Sequence, residues 1–197
     1  MKGDRLRWGE GAPKNRRESR RSGGGKKSGA RRLAEYAVVL LVAFVVVFGV
    51  LRPFVVKSFW IPSESMVPTL EVGDRIFVNR FVYRFTEPER GDIVVFDSLE
   101  TDDELVKRVV AVPGDRVRIF NGELKLNGEF QEEPYVKAQF PNGSVYGPER
   151  VPKGHVFVMG DNRGNSRDSR FVGPVPIENI QGEAVLRFWP PSRIGTL

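Results

Sequence analysis

A serine in a proline-bounded segment and a lysine in a later apolar run are the residues best suited to do chemistry together. Ser65 lies between Pro62 and Pro68, which fix φ and lack backbone donors, so this segment is predicted to be a stiff turn. A serine hydroxyl becomes a nucleophile when a neighbouring base is neutral at working pH. Lys107 is flanked by apolar residues of a β pattern, and burial among them would lower its pKa from about 10.4. The pair predicts acyl transfer, although a loop serine and a surface lysine are the ordinary alternatives.

The single histidine and a polar loop offer two other kinds of site. His155 is the one candidate base for a Ser-His-Asp triad, but its place at the entry to a predicted strand favours a turn or packing role. Residues 160–170 form a dense loop of Asp, Asn, Ser, Gly and Arg, and part of this composition is also found in calcium loops. Three arginines among only two carboxylates disfavour calcium. The loop is better suited to bracing a neighbouring site through Asp–Arg pairs.

The charge of the chain divides into a basic beginning and a mildly acidic remainder. The first 32 residues contain twelve Lys or Arg and three Asp or Glu, whereas the remaining 165 contain nineteen and twenty-two. Residues 1–32 also have few apolar side chains and are predicted to be a disordered tail. The absence of cysteine excludes disulfides, thiolate catalysis and Cys-ligated zinc.

An apolar segment follows the basic tail and predicts a membrane anchor over residues 33–56. Residues 37–51 are all apolar, and residues 33–51 contain Glu35 as their only charge. A helix of nineteen residues spans about 28 Å, close to the hydrocarbon thickness of a bilayer. A buried core helix and a cleavable export signal are the alternatives, but residues 52–57 lack a small-x-small cleavage pattern. The basic residues before the span place its N-terminus in the cytoplasm.

The remainder, residues 57–197, is predicted to be a β-rich catalytic domain. Short runs rich in Val, Ile and Phe are separated by Gly, Pro, Asn and Asp, with no convincing amphipathic helix among them. Asn121-Gly122 predicts a hairpin, and Asn127-Gly128 and Asn142-Gly143 predict further turns. The fold class is therefore mostly β, an antiparallel and partly coiled sheet preceded by one transmembrane α-helix. The predicted strands are residues 75–78, 93–96, 106–112, 117–120, 156–158 and 184–189.

The segments around Ser65, Lys107 and the polar loop closely resemble those of bacterial type I signal peptidases. These are membrane-bound Ser/Lys endopeptidases that remove signal peptides from exported proteins, and the resemblance covers the anchor and roughly residues 58–176. It implies that Ser65 is the nucleophile and Lys107 the general base, and that the Ser63 hydroxyl and the Ser65 N–H form an oxyanion hole. It further implies that Ser166 hydrogen-bonds the lysine and that ionic side chains brace the site, namely Asp161, Arg163, Asp168 and Arg170.

The same resemblance assigns apolar residues to two shallow substrate pockets. Such walls would admit a signal peptide that ends in Ala-x-Ala and reject bulkier side chains. The substrate is expected to pair as an extended strand beside residues 59–61 and 104–106. Glu64, Gly164 and Arg167 depart from the pattern of other members without removing a catalytic group. The residues expected to bind substrate are Phe59, Ile61, Pro62, Met66, Leu70, Ile76, Val95, Leu105 and Val106.

These observations together predict a single-pass enzyme of the cytoplasmic (inner) membrane, with its catalytic domain on the outer face. The expected partners are preprotein signal peptides, lipids of the cytoplasmic membrane and the protein export machinery, with no cofactor, no metal and no nucleic acid. A non-catalytic, membrane-tethered β domain that binds exported peptides and a Ser/Lys self-cleaving regulator are the alternatives. Nucleic-acid binding by the tail is disfavoured because Trp8 is its only aromatic residue, so contact with anionic lipid or control of topology is preferred.

Overall fold

The computed structural model describes residues 25–51, 56–136 and 145–197. The chain divides into two compact units, Met1–Phe44 and Val45–Leu197. In the first unit the described residues form one helix, α1, Gly25–Phe44, whose Arg31 Nε donates to Glu35 Oε1 at 3.1 Å. Because α1 begins at Gly25, residues 25–32 are helical where the sequence predicted a disordered tail; Lys, Arg and Ala are good helix formers.

The apolar segment predicted as an anchor is divided between two helical forms. Residues up to Phe44 belong to α1, and Val45–Leu51 form π-helical turns. Among the residues that the structure describes, no helix is both long enough and apolar enough to cross a membrane. Residues 52–55, at the end of the predicted anchor, lie outside the described part of the chain.

The second unit is mostly β, as predicted from the short Val-, Ile- and Phe-rich runs. Its strands are β1 Val56–Trp60, β2 Arg75–Asn79, β3 Ile93–Asp97, β4 Glu104–Ala111, β5 Arg116–Phe120, β6 Glu123–Leu126, β7 Glu129–Phe130, β8 Val145–Arg150, β9 His155–Met159, β10 Val175–Pro176, β11 Ile180–Trp189 and β12 Gly195–Thr196. Short helices lie between them: 3₁₀ turns at Glu64–Met66, Val82–Arg84, Ile177–Asn179 and Pro191–Arg193, and α2 at Ser169–Val172.

The strands form two sheets in which the described pairs are all antiparallel. The larger sheet has the order β1-β2-β11-β3-β4-β9-β10, with β12 paired to β11, and the smaller has the order β7-β6-β5-β8. The antiparallel β-sheet of the predicted fold class is therefore confirmed, whereas its transmembrane helix is not found among the described residues. Irregularities in the pairing of β11 with both its neighbours bend this long strand.

The turn residues explain the hairpins of the smaller sheet. Asn121 and Gly122 join β5 to β6 with φ of 57° and 88°, and Asn127 and Gly128 lie between β6 and β7 with φ of 53° and 102°. Two consecutive positive φ values match the twist of a two-residue hairpin, and Asn and Gly tolerate them best. Both of these predicted turns are confirmed, whereas Asn142-Gly143 lies outside the described residues.

Three apolar clusters hold the second unit together. β3 is buried along nearly its whole length because one cluster covers Ile93 and Val95 and another covers Val94 and Phe96. The first of these clusters also contains residues on both sides of the predicted nucleophile, including Met66 and Leu70. The third cluster lies between the two sheets and contains residues of β4, β5, β6 and β9.

Candidate active site

The turn that carries Ser65 is short, and Asn162 stabilises it through two hydrogen bonds. Ser65 lies in the 3₁₀ turn Glu64–Met66, and its side chain is buried. The backbone N–H of Asn162 donates to Ser65 O at 3.0 Å, and Asn162 Nδ2 donates to Glu64 O at 3.1 Å. Asn162 was not among the predicted site residues, because nothing local in its loop indicates a partner almost a hundred residues earlier.

Lys107 reaches this turn from the middle of β4. Its Nζ donates to Ser65 Oγ at 2.9 Å and to Val106 O at 2.9 Å, and only 3% of the residue is exposed. The structure therefore brings together the serine and the lysine that the sequence singled out. Proton transfer between these two atoms requires no rearrangement, because their separation is already that of a hydrogen bond.

Burial shifts the titration of this lysine toward neutrality. Desolvation lowers the pKa of Lys107 from 10.5 to about 8, and the charges of Asp168 and Asp161 oppose the shift. At pH 7 about one tenth of such a group is neutral, compared with well under a thousandth for an exposed lysine. The apolar surroundings thus supply the neutral amine that a serine nucleophile needs.

Ser63 lies beside Ser65 on the solvent side. Its Oγ is 3.2 Å from Ser65 Oγ, and the residue is exposed. Ser65 is in the first turn of its 3₁₀ segment, where leading N–H groups are not used by the helix itself. The hydroxyl of Ser63 and the N–H of Ser65 are therefore close enough to Ser65 Oγ to bind an oxyanion formed there.

Ser166 lies near the site without the expected hydrogen bond to the lysine. Its Oγ is buried and has no hydrogen-bond partner among the described residues. A Cβ added to Gly160 would overlap Ser166 Oγ and lie 2.5 Å from Ser65 O, so a glycine there allows the loop to pack against the turn that carries Ser65. The hydrogen bond predicted between Ser166 and Lys107 is therefore absent from this structure.

A buried ion pair joins β4 to the polar loop. Arg108 Nε and Nη2 donate to the two oxygens of Asp161 at 2.9 and 2.7 Å, and Thr69 Oγ1 donates to Asp161 Oδ2 at 2.5 Å. Asp161 is fully buried. The bidentate pair fixes the direction of the strand that carries Lys107 relative to the loop. Arg108 was not predicted, because adjacent charged residues in a strand usually place at least one side chain in solvent. Thr69 was not predicted either.

Two further pairs stabilise the polar loop internally. Arg170 donates to both oxygens of Asp168 at 2.7 and 2.8 Å, and Asp168 Oδ2 accepts from the Gly160 N–H at 3.0 Å. Arg163 donates to both oxygens of Glu133 at 2.7 and 2.5 Å and to Gly160 O at 3.0 Å. The four ionic residues predicted to brace the site are thus all paired, although Glu133 was missed.

Most of the predicted substrate-binding residues lie together in the apolar cluster behind Ser65. Pro62 is exposed beside the turn. Leu105 differs from this group, because it packs in the cluster that contains Val94 on the opposite side of β3. Adjacent strand residues face opposite sides, so Leu105 and Val106 cannot both line one pocket wall. The residues gathered in or against the first cluster are Phe59, Ile61, Met66, Leu70, Ile76, Val95 and Val106.

The structure gives His155 a local role. Its Nδ1 lies 3.0 Å from Lys153 O, at the start of β9, whereas the site lies beyond the other end of that strand. Two of the three residues that depart from the family pattern, Glu64 and Arg167, make surface contacts. Arg167 forms an exposed ion pair with Glu100, and Asn165 Nδ2 donates weakly to Glu64 Oε2 at 3.4 Å.

Comparison with known families shows which family this chain belongs to. The family described as "Signal peptidase, peptidase S26" matches residues 33–189. The chain belongs to this signal peptidase family. The resemblance inferred from the sequence is thereby confirmed.

Several signal peptidases are similar to this chain over most of its length. A "Signal peptidase I" of Leptolyngbya laminosa is 46% identical over 155 residues, which are 75% of each chain. "Probable signal peptidase I-2" of Synechocystis sp. is 41% identical over 169 residues, 83% of this chain and 76% of the other. "Signal peptidase IB" of Staphylococcus aureus is 37% identical over 179 residues, 82% and 92% of the two chains. A crystal structure of a signal peptidase I from Enterococcus faecalis is 28% identical, covers 50% of this chain and 97% of that one, and has a TM-score of 0.45.

Proposed function

We propose that this chain is a serine endopeptidase that removes signal peptides from preproteins with Ser65 as nucleophile and Lys107 as general base. The observation that carries the assignment is the 2.9 Å contact between Lys107 Nζ and Ser65 Oγ within a buried setting. Family membership supplies the reaction class, since the family is one of signal peptidases. A domain that only binds peptides would have no need of a lysine with a depressed pKa in contact with a serine hydroxyl.

The first chemical step forms an ester between Ser65 and the signal peptide. Neutral Lys107 accepts the proton of the Ser65 hydroxyl while the oxygen attacks the scissile carbonyl carbon. The negative charge on the carbonyl oxygen is stabilised by the Ser63 hydroxyl and the Ser65 N–H. Protonated Lys107 then donates its proton to the leaving amine, which is the new N-terminus of the mature protein.

The second step returns the enzyme to its starting state. Lys107 accepts a proton from water, and the resulting hydroxide attacks the ester carbonyl under the same oxyanion stabilisation. Collapse of the intermediate breaks the ester bond, and Ser65 regains its proton from the lysine. Paired Asp161 and Asp168 support both steps, because they hold the surrounding loop rigid while their charges are balanced by Arg108 and Arg170.

The apolar cluster behind Ser65 favours substrates with small side chains next to the cut. Leu70, Ile76 and Val95 are completely buried and would form the bottom of the pocket, the floor. Phe59, Val106 and Pro62 retain some accessible surface. Filling space above such a floor with a large side chain would require the packed core to open, which typically costs about 1–3 kcal/mol. The enzyme is therefore proposed to cut after small-x-small sequences.

The apolar residues 37–51 support a membrane location for this catalytic domain. They follow twelve basic residues that favour cytoplasmic retention of the N-terminus, so the domain from residue 57 onward would lie on the outer face. The described side chains of α1 and the first π-helical turn include many exposed apolar groups, among them Leu40, Leu41 and Val45. In intact spheroplasts, protease added outside must digest the domain and spare an N-terminal tag, and the reverse pattern would refute this orientation.

Purified full-length protein in neutral detergent is expected to cleave a preprotein whose signal ends in Ala-x-Ala directly after the second Ala. Mapping of the new N-terminus by mass spectrometry identifies the cut. The matched substrate carries Phe in place of that second Ala, and its kcat/KM should be at least about tenfold lower, because one poorly fitting group in an apolar pocket is worth roughly 1–3 kcal/mol. Equal cleavage of both substrates would refute the pocket assignment, and cleavage of neither would refute the function.

The rate of this cleavage is expected to depend on pH through Lys107. The base is neutral above a pKa of about 8, so kcat/KM should rise about tenfold per pH unit below pH 8 and level off above it. Initial rates with a short fluorogenic signal-peptide substrate from pH 6 to 10 give the profile. A flat profile across this range, or a midpoint near the ordinary lysine value of 10.5, would contradict a buried lysine base.

The free energy of unfolding is also expected to depend on pH through Lys107. The pKa of Lys107 is about 8 in the folded protein and 10.5 when exposed, so between these pH values the unfolded chain binds more protons. Stability should therefore increase with pH through this window, by about 3 kcal/mol in total. Lys107→Met should remove the increase, whereas Lys153→Met, at an exposed position, should leave it in place.

A further inference from the structure

One face of the smaller sheet contains an open cavity of about 730 Å³ that is separate from the residues of the catalytic site. Four of its lining residues are cationic: Arg116, Arg118, Lys125 and Arg150. Its volume falls within the range of about 300–1,000 Å³ that is typical of sites for small ligands. The side chains of β5 alternate between the two faces of the sheet. Val117 and Ile119 face the core, while Arg116 and Arg118 face outward.

The strand register places these cations directly opposite one another. Arg116 of β5 is paired with Arg150 of β8, and Arg118 of β5 is paired with Lys125 of β6. Directly opposed like charges in an antiparallel pair destabilise the sheet. Two such pairs on adjacent strands concentrate four positive charges on a small area, which an anion bound between them would neutralise.

No carboxylate of the described chain neutralises the four cations by an ion pair. Elsewhere in the protein, largely buried arginines are paired with carboxylates: Arg108, Arg163 and Arg170 each form an ion pair. In the part of the chain that the structure describes, Arg116, Arg118, Lys125 and Arg150 take part in no ion pair, and Arg150 Nε instead donates to Gly114 O at 3.3 Å.

One carboxylate that lies between cavity-lining residues in the sequence, that of Asp115, already has partners. Asp115 is paired with Arg90 through both oxygens and also accepts from the Val112 N–H and from Asn127 Nδ2, each at 2.9 Å. It is therefore not available to the four cations. Composition does not explain the cluster either, because residues 33–197 carry twenty-two acidic and nineteen basic groups.

We propose that this face is a binding site for a phosphoryl group, held by Arg116, Arg118, Lys125 and Arg150. Guanidinium groups present paired N–H donors that match phosphate oxygens, and an ammonium adds a compact charge. Two exposed aromatic rings border the same cations: Arg118 lies over Phe120 at 5.5 Å and Lys125 over Phe130 at 4.8 Å. An anionic phospholipid headgroup and a soluble phosphate share the required chemistry, and the site does not depend on the proposed proteolytic function.

The test uses full-length protein in neutral detergent and reads the backbone amide signals of residues 116–128 by NMR. The probes are dihexanoyl phosphatidylglycerol, its phosphatidylcholine counterpart and pyrophosphate, each titrated at constant ionic strength. Saturable shifts are expected at these amides with at least one phosphoryl probe that carries net negative charge. This local readout separates the cavity from the basic residues 1–32, which are the same in every variant.

A matched pair of variants assigns the binding to the cations. Arg118→Gln with Lys125→Gln should weaken binding at least tenfold, whereas Arg84→Gln with Lys153→Gln, which removes two exposed cations elsewhere, should leave it unchanged. Shifts with phosphatidylglycerol alone identify a lipid headgroup, shifts with pyrophosphate alone identify a soluble phosphate, and shifts with both show that the phosphoryl group suffices. Absence of saturable shifts with every probe, or equal affinity in both variants, would overturn the proposal.

A second measurement keeps the proposal testable if the double variant folds poorly. At low ionic strength and without phosphate, Lys125→Gln should raise the melting temperature, because it removes one repulsive pair. Addition of the binding probe should then raise the melting temperature of the unaltered protein more than that of the variant. An equal rise in both would argue against the site.

Discussion

Replacement of Ser65 by Ala is expected to lower kcat/KM for signal-peptide cleavage by at least about 10⁴-fold. Ala removes the hydroxyl oxygen that accepts from Lys107 Nζ at 2.9 Å and that is proposed to attack the substrate. Lys107→Met should produce a loss of similar size, because members of a catalytic unit are strongly non-additive. Cleavage of a purified preprotein, followed by gel densitometry over long incubation, measures the residual rate.

Two controls separate catalysis from folding. Ser63→Ala should reduce kcat by roughly 10²–10³-fold, since it removes a single oxyanion donor, and Lys153→Met should have no effect. Circular dichroism and the melting temperature should show that Ser65→Ala folds normally, because only one small hydroxyl is lost. Residual activity above one tenth in Ser65→Ala or Lys107→Met, with both variants folded, would refute the assignment of nucleophile and base.

Replacement of Arg108 by Met is expected to lower the free energy of unfolding by about 3–5 kcal/mol. The substitution leaves Asp161, which is fully buried, without its bidentate partner. The unpaired carboxylate would also favour the charged form of Lys107 more strongly, so the midpoint of the pH–rate profile should move upward. Urea unfolding followed by tryptophan fluorescence measures the first effect, and initial rates measure the second.

The matched control is an ion pair between an arginine and a carboxylate at the surface. Arg167 and Glu100 form an exposed ion pair, so Arg167→Met should change stability by no more than about 1 kcal/mol. Arg108→Met combined with Asp161→Leu should recover much of the lost stability, because replacing both members of a buried pair avoids the isolated charge. A loss below about 1 kcal/mol in Arg108→Met would show that the pair does not hold the site together.

The sequence was sufficient to predict the elements and the chemistry that depend on local patterns. The six predicted strand runs fall within or overlap observed strands, and the Asn-Gly turns at 121 and 127 have the positive φ that hairpins require. It missed β1, which begins where the predicted anchor ends, and β8, whose Gly147 and Pro148 mask the strand pattern. It also missed the two-residue strands, which are too short to show alternation. Ser65 and Lys107 could be identified because the neighbouring sequence of each is distinctive. Ser65 lies in a turn bounded by prolines, and Lys107 lies in an apolar strand.

Tertiary structure alone decided which charges meet and which side each residue faces. Arg108 pairs with Asp161 and Arg163 with Glu133, although neither partner is indicated by local sequence. Strand register sends Leu105 to the opposite side of the sheet from Val106, and it places four cations together on the smaller sheet. The physical reason is that local composition sets backbone conformation and burial, whereas the partner of a buried charge depends on the order of strands in the sheet. In the larger sheet β9 lies beside β4, although the strands of the smaller sheet, β5 to β8, separate the two in the sequence.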